Sequence, residues 1–400
     1  MKKAISYIAW LLGIALVLYG IVIGLFIASW HTMPGDSAVP DRLSNNTPTT
    51  VDKVDSLSLI FIGDIMGHIP QVKSAYDPKT STYSYEDVFS KVAPIIKKAD
   101  FSVANLEVTL AGKPYEGYPK FSSPDALAAA CKTSGIDVLL TANNHSCDRG
   151  KEGIVRTIRV LDSLDIQHTG TFENAADRTE HNLLILDKNN IKVGLLNYTY
   201  GTNGRAIPKP TMVNLIDTVT MLSDIEQSKA AALDKLIVMV HWGKEYQSEP
   251  TEDQIEIAEF LFKNGVDIIV GSHPHVLQKM EYSPPTDQAG EQLIAYSLGN
   301  FVSDQRTRKR DGGAMLQLTL TKKHEDTRIA DYGYHLTWVN KPRINGKRKY
   351  EVLPCASADS TWLLTQAAEK KMKLFLADAR ALLEKENVAV KEIKTDANSQ

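Results

Sequence analysis

Residues 57–68 read LSLIFIGDIMGH. Leu57–Ile62 is a short apolar run, broken only by Ser58, and it ends abruptly at Gly63-Asp64. A continuous apolar run of this length suits a strand buried on both faces. The same pattern returns at Phe101–Ala104, Asp137–Leu140, Leu236–Val240, Asp267–Val270 and Leu293–Leu298, each followed by a polar cluster. Helical patterns lie between several of these runs. Ser123-Pro124 before Asp125–Thr133 and Gly135 supplies an N-cap, a first-turn proline and a C-terminal glycine. Lys151–Leu164 and Glu252–Lys263 are amphipathic. Strand alternating with helix predicts an α/β domain with a largely parallel core. Leu183–Leu186 and Ile191–Tyr198 flank Asn189-Asn190 and predict a hairpin. Ala314–Leu320, Arg328–Val339 and Tyr350–Leu353 read as strands closing a second sheet, and Trp362 to about Glu386 as a long amphipathic helix.

Open α/β sheets bind ligands beyond the carboxyl ends of their strands, so the polar clusters there are where chemistry is sought. They are GDIMGH (63–68), NLE (105–107), NNH (143–145) with Cys147 and Asp148 behind it, HWGKEY (241–246), GSHPH (271–275) and GNF (299–301). The chain has ten histidines. His145, His241, His273 and His275 sit at strand ends, with His68 close by. Imidazole, carboxylate and amide oxygen form the donor set expected of Mn, Fe or Zn in a hydrolytic centre. His273 and His275, at alternate positions, project to the same side if the backbone is extended. A carboxylate such as Glu107 has the reach to bridge two cations, and a pair about 3.5–4 Å apart activates water and stabilises developing charge. Taken singly, each signal is ordinary: a histidine after a strand is usually a loop residue, Asp64 could be an N-cap, and Asn143-Asn144 could be a turn. Their recurrence at successive strand ends is what points to one shared site. Trp242 and Tyr246 read as pocket wall or core.

The chain has 400 residues and a formal net charge of −3, without the clustered Lys and Arg that nucleic-acid binding needs. Cys131, Cys147 and Cys355 are an odd set that matches neither a zinc knuckle nor a redox pair, so at least one buried free thiol is expected. Lys2 and Lys3 precede Ala4–Trp30, which carries no charge. A span needs roughly 20 apolar residues. Residues 4–30 are therefore expected to be a single-pass signal anchor, with a cleaved signal as the rival. The flanking lysines place the N-terminus in the cytoplasm and the main domain outside it, at the cell membrane. Residues 31–56, rich in Pro, Ser, Thr and Asn, read as a flexible linker, and 389–400 as a disordered tail.

With these residues assembled, the chain resembles the CapA family of capsule and poly-γ-glutamate biosynthesis proteins, itself similar to calcineurin-like metallophosphoesterases. The resemblance runs over 57–320, through GDIM, NLE, the ANNH-x-x-D-x-G block, HWG-x-E-Y, G-x-HPHV and SLGNF. Residues 321–388 carry no such motif and read as strands and a helix packing on that domain. The resemblance implies a four-layer α/β/β/α sandwich holding two divalent metal ions in a cleft. It implies Asp64 and His275 as first-metal ligands, Glu107 as the bridge, and Asn144, His241 and His273 as second-metal ligands. His145 would stabilise the transition state or protonate the leaving group. His68, Asn143, Asp148, Glu245 and Asn300 are further candidates, as ligands or as groups behind them. Two departures stand out: Met66 occupies the position where metallophosphoesterases carry a histidine, with His68 two residues on, and the bridge is Glu instead of Asp. The implied role is metal-dependent hydrolysis of a phosphoester or amide during synthesis, export or processing of an anionic polymer, alongside polymer synthase or export subunits. The alternative is a non-catalytic polymer-binding component of such a complex.

Overall fold

The computed structural model describes residues 53–394 except Gln288, Asn345 and 356–361. The expected anchor at 4–30 and most of the linker lie outside the described residues. Among the described residues no helix is long and apolar enough to cross a membrane.

In chain order the strands of the two main sheets are β1 (Asp55–Ile65), β2 (Phe101–Leu106), β3 (Val138–Leu140), β4 (Gln167–Thr169), β5 (Leu184–Lys188), β6 (Ile191–Thr199), β7 (Lys235–His241) and β8 (Ile268–Ser272). They continue with β9 (Met280–Ser283), β10 (Gln292–Ala295), β11 (Asn300–Val302), β12 (Gly312–Lys323), β13 (Asp326–Asn340), β14 (Glu351–Pro354) and β15 (Lys391–Glu392). The helices that matter here are α1 (Ile69–Ala75), α2 (Ala126–Thr133), α3 (Gly150–Ser163), α4 (Thr218–Ser228), α5 (Glu252–Lys263) and α6 (Gln366–Glu386).

The first sheet runs β14-β13-β12-β1-β2-β3-β4. Its β1–β4 half is parallel and its β12–β14 half antiparallel. The second runs β9-β10-β8-β7-β6-β5, with a parallel centre and an antiparallel strand at each edge. Side chains alternate between the faces of a strand, and the alternation assigns the layers. Leu57, Leu59, Phe61 and Val103 of the first sheet share one core with Val193, Leu195, Ile237 and Val270 of the second. The intervening Ile60, Ile62 and Ala104 pack instead with Leu127 and Ala128 of α2 and Leu161 of α3. On the second sheet, Leu196, Val238, Val240 and Ile269 pack with Met221 and Ile225 of α4 and Ala258 and Leu261 of α5. Two mixed sheets thus lie face to face with helices on their outer sides. Every central strand is buried on both faces, which is why its sequence shows no polar alternation.

The structure corrects five expectations. The apolar runs do not build one largely parallel core but divide between two mixed sheets, as the four-layer sandwich implied by the resemblance requires. The segments expected to close a second sheet extend the first, because β12 pairs antiparallel with β1 from Asp55–Lys322 to Ile62–Met315. That pairing also takes Asp55 and Ser56 out of the expected linker. Ser123 does not cap α2, since its backbone N donates to Thr109 O at 2.9 Å and holds it in an extended segment, and Asp125 takes the cap position. Residues 389–394 are ordered: β15 pairs with β13, and Arg380 clamps Glu392 through two 2.8 Å hydrogen bonds.

Other local readings match. The β5–β6 hairpin turns at Asn189 and Asn190, with φ of 53° and 61°, as a primed two-residue turn requires. Helix α5 starts in a capping box of Thr251 and Gln254. Cys131, Cys147 and Cys355 are all buried and free, and Trp242 is core, its Nε1 donating to Tyr296 O at 2.9 Å.

Candidate metal centre

Strand β1 delivers Asp64 through a local irregularity. Its register with β2 shifts between Ile62 and Asp64, and Asp64 N donates to Gly299 O at 3.0 Å. A Cβ at Gly63 would stand 2.2 Å from that same carbonyl, so only glycine lets the two strand ends close up. The other parallel strands end at the same edge. Glu107 follows β2, Asn143–His145 follow β3, His241 ends β7, and His273 and His275 follow β8.

The strand ends bring two groups of donors together. Asp64, Glu107 and His275 form one, and Glu107, His241 and His273 the other, with ligand atoms inside each group within 4.8 Å of one another. Glu107 belongs to both, its Oε1 lying 3.7 Å from His241 Nε2 and from His275 Nε2. His275 Nδ1 is 3.1 Å from Asp64 Oδ2. Asn144 joins the second group, its Oδ1 being 3.1 Å from His241 Nε2. The sequence expectation of an extended HPH segment is corrected: His273 and His275 have φ of 101° and 57°. Backbone held there by a non-glycine residue is strained, and the strain falls on two residues that face the acidic groups.

All five charge-bearing donors are buried. Burial, and then the neighbouring charge of Asp64, pushes the Glu107 carboxyl far above the usual carboxylate range. Burial, and then the neighbouring imidazoles, pushes His241 well down and His273 down to about 4. His241 and His273 are therefore held in the neutral form, the one that ligates metal. Neither oxygen of Glu107 has a hydrogen-bond partner, and His273 Nδ1 is likewise buried without one. A buried carboxylate with no donor is costly, and a divalent cation removes that cost. The residues present fit such ions on this ground.

His145 stands beside the two groups without belonging to them. Its Nδ1 lies 2.7 Å from Asp148 Oδ2, which also accepts from Phe121 N at 2.7 Å. The ring packs edge-on against Phe121 at 4.6 Å. Its Nε2 has no protein hydrogen-bond partner among the described residues. Asn143 is a brace: its amide donates to Leu106 O at 2.8 Å, and its Oδ1 accepts from His145 N at 3.1 Å. His68 does not replace the histidine missing at Met66. It sits at the N-cap of α1, with Nδ1 3.2 Å from Gln71 Oε1 and 3.4 Å from Asp304 N, and its ring meets the other edge of the Phe121 contact at 5.2 Å. Asn300 holds the following loop through Gln305 Oε1 and Arg310 O at 2.9 and 2.8 Å, and its Oδ1 is buried without a donor. Glu245 lies exposed at the rim, where its charge raises the Glu107 carboxyl.

Sequence reading missed several contributors. Asn105 Nδ2 donates to Asp64 Oδ1 at 2.8 Å and lies 3.3 Å from His241 Nδ1. Its place at a strand end, two residues before Glu107, was the available signal. Ser272 Oγ is 3.0 Å from His241 Nδ1, so Nε2 is the nitrogen left for the cleft. Tyr200 lies against His273 at 4.6 Å, Asn203 meets Asn144 at 3.3 Å, and Arg205 Nε lies 3.6 Å from Asp148 Oδ1. That loop follows β6 and carries no motif, so no local pattern marks it.

Residues 58–305 match the family model described as "Bacterial capsule synthesis protein PGA_cap". The chain is similar to the capsule biosynthesis protein CapA of Bacillus anthracis, at 29% identity over 320 residues, covering 77% of this chain and 72% of that one. It is 28% identical over 351 residues to the PGA biosynthesis protein CapA of Bacillus subtilis (strain 168), covering 86% and 79%. Among solved structures, the calcineurin-like phosphoesterase YfkN from Bacillus subtilis superposes with a TM-score of 0.43 at 15% identity, over 83% of this chain and 100% of that one.

Proposed function

The chain belongs to the PGA_cap family of bacterial capsule synthesis proteins, and from that premise we propose that it is a membrane-anchored, extracytoplasmic metal-dependent hydrolase of metallophosphoesterase type. It would act on a phosphoester or amide in the making, export or processing of a capsule polymer such as poly-γ-glutamate. One observation carries the reading: Glu107 is buried between two ligand groups with both oxygens lacking a hydrogen-bond donor. Asp64, Glu107 and His275 would hold one divalent cation, and Glu107, Asn144, His241 and His273 a second. The chemistry such a pair supplies is Lewis-acid polarisation of the scissile group and a lowered pKa of water.

The chain's own residues do the rest. Asn105 and Ser272 orient Asp64 and His241. Asp148 takes His145 Nδ1, fixing the ring and leaving Nε2 to give a proton to the leaving group or a hydrogen bond to the developing anion. Tyr200 and Arg205 flank the cleft, where Arg205 suits an anionic substrate. The anchor and orientation rest on the uncharged stretch 4–30 behind Lys2 and Lys3, and protease accessibility of the domain in intact cells reports on them. The function is tested by metal content and metal-dependent turnover of phosphodiesters, phosphomonoesters and γ-glutamyl peptides. Unaltered metal binding after Asp64→Ala and His273→Ala would end it.

A second reading has one observation in its favour. Met66, buried at 2% exposure, leaves the first group a ligand short of the usual metallophosphoesterase set, which fits a cleft that binds polymer without cutting it. Polymer output that tolerates His145→Ala but requires the anchor would favour this reading.

A further inference from the structure

The loop at 303–311 has two sides. One meets residues beside the metal centre: Asn300 Nδ2 donates to Arg310 O at 2.8 Å, and Asp304 N lies 3.4 Å from His68 Nδ1. The other roofs a separate cavity of about 440 Å³, whose remaining walls come from the end of β13, from Lys341, Pro342, Arg343 and Arg348, and from the first turns of α6. That volume falls in the range of small-ligand pockets, about 300–1,000 Å³.

The charge of its lining is one-sided. Arg306, Lys341, Arg343, Arg348 and Lys371 face Asp311 as the single carboxylate among the lining residues. Asp311 is buried and accepts from Trp338 Nε1 at 2.9 Å. Arg306 and Arg348 share one acid, Asp304, at 2.8 and 3.2 Å, so their pairing leaves a surplus positive charge. The Lys341 amine donates to the Gln305 backbone carbonyl, and no carboxylate lies within ion-pair distance of it among the described residues. Burial holds that amine down to about 8, against the opposing pull of Asp304 and Asp311. The bond from Arg343 goes to the carbonyl of Gly346 at 3.3 Å. The capped N-terminus of the 21-residue α6 opens on the same space and adds the positive end of its dipole.

We propose that this cavity is a second ligand site, separate from the metal centre, that takes the carboxylates of an anionic oligomer. Its selectivity for anions follows from the lining alone. The choice of a polycarboxylate rests on the capsule-polymer function proposed above. Cations drawn from four separate elements grip successive charges along a chain, so the loop 303–311 would hold polymer on the side away from Asn300 and His68.

The test is fluorescence-anisotropy titration of the full-length protein in detergent with labelled oligo-γ-glutamate. It compares the parent with Arg343→Gln/Lys371→Gln, which alters exposed side chains and leaves the core intact, and with Lys341→Met. His273→Ala serves as the metal-centre control. The proposal expects both cavity variants to weaken binding about tenfold or more, the worth of one lost charge-assisted contact, with metal content unchanged and with His273→Ala binding as the parent does. Parental affinity in both cavity variants overturns it. If binding is then lost in His273→Ala, the polymer belongs to the metal centre and the function above survives. Absence of binding to any version also overturns it, while metal-dependent turnover reports separately on the function.

Discussion

Glu107→Gln separates the cost of the metal centre from its use. In the metal-free protein Glu107 is fully buried, both oxygens lack donors, and the Asp64 charge lies beside it. Each unsatisfied buried acceptor costs about 1–3 kcal/mol. The glutamine keeps the shape, carries no charge, and gives its amide an acceptor in Asp64. Metal-free Glu107→Gln is therefore expected to be more stable than the parent by about 1–3 kcal/mol. Divalent metal at about 100 times its Kd should stabilise the parent by about 2.7 kcal/mol, and this gain should shrink or vanish in the variant, which has lost the shared anionic ligand. Urea denaturation in EDTA and in Mn²⁺ measures both quantities on each protein. A Glu107→Gln protein that loses several kcal/mol in EDTA and still gains as much from Mn²⁺ as the parent would refute the reasoning, because Glu107 would then be an ordinary packed side chain.

Three further outcomes are expected. His145→Ala should lower turnover about 10²–10⁴-fold with metal content unchanged by atomic absorption, since the ring stands outside both ligand groups; equal loss of metal and activity would contradict the assignment. Gly63→Ala forces a Cβ to 2.2 Å from Gly299 O, so it should destabilise the fold by about 1–3 kcal/mol and weaken metal binding by displacing Asp64, read by thermal unfolding and metal titration. His335 is buried, with Nε2 2.9 Å from Gln317 Oε1 and its folded pKa pressed down to about 4 by burial. The unfolded chain, with an imidazole pKa near 6.5, therefore binds the proton that the folded protein refuses. Stability should fall as pH drops from about 6.5 toward 4, by on the order of 3 kcal/mol from this group, and His335→Gln measured in EDTA should remove that part of the slope.

Much of the site was legible because its ligands sit at the ends of apolar runs. A strand buried on both faces must expel polar groups to its ends, so Asp64, Glu107, His145, His241, His273 and His275 stand where hydrophobicity stops. Asn105 carries only the weak signal of its place at a strand end; its role exists only once β1 and β7 bring Asp64 and His241 to either side of it. Arg205 and Tyr200 lie in a loop without periodicity, and the basic cavity draws on Arg306, Lys341, Arg343, Arg348 and Lys371, scattered over 66 positions of a chain whose formal net charge is −3. Summed charge averages such a patch away.

The sequence by itself determined the central strands, the places of α2, α3, α5 and α6, the β5–β6 turn and the donor types at the strand ends, because these depend on burial, capping and φ preferences acting within a few residues; it did not mark β4, β9, β11, β15, α1 or α4. Tertiary structure alone decided which strands share a sheet. A continuous apolar run says that a strand is buried on both sides but not what covers each side, so the division of six similar runs between two sheets had no local signature. It also decided the conformation around Pro274, where positive φ values replaced the expected extended segment, because strain at His273 and His275 is tolerated only where the surrounding packing fixes both residues against Asp64 and Glu107.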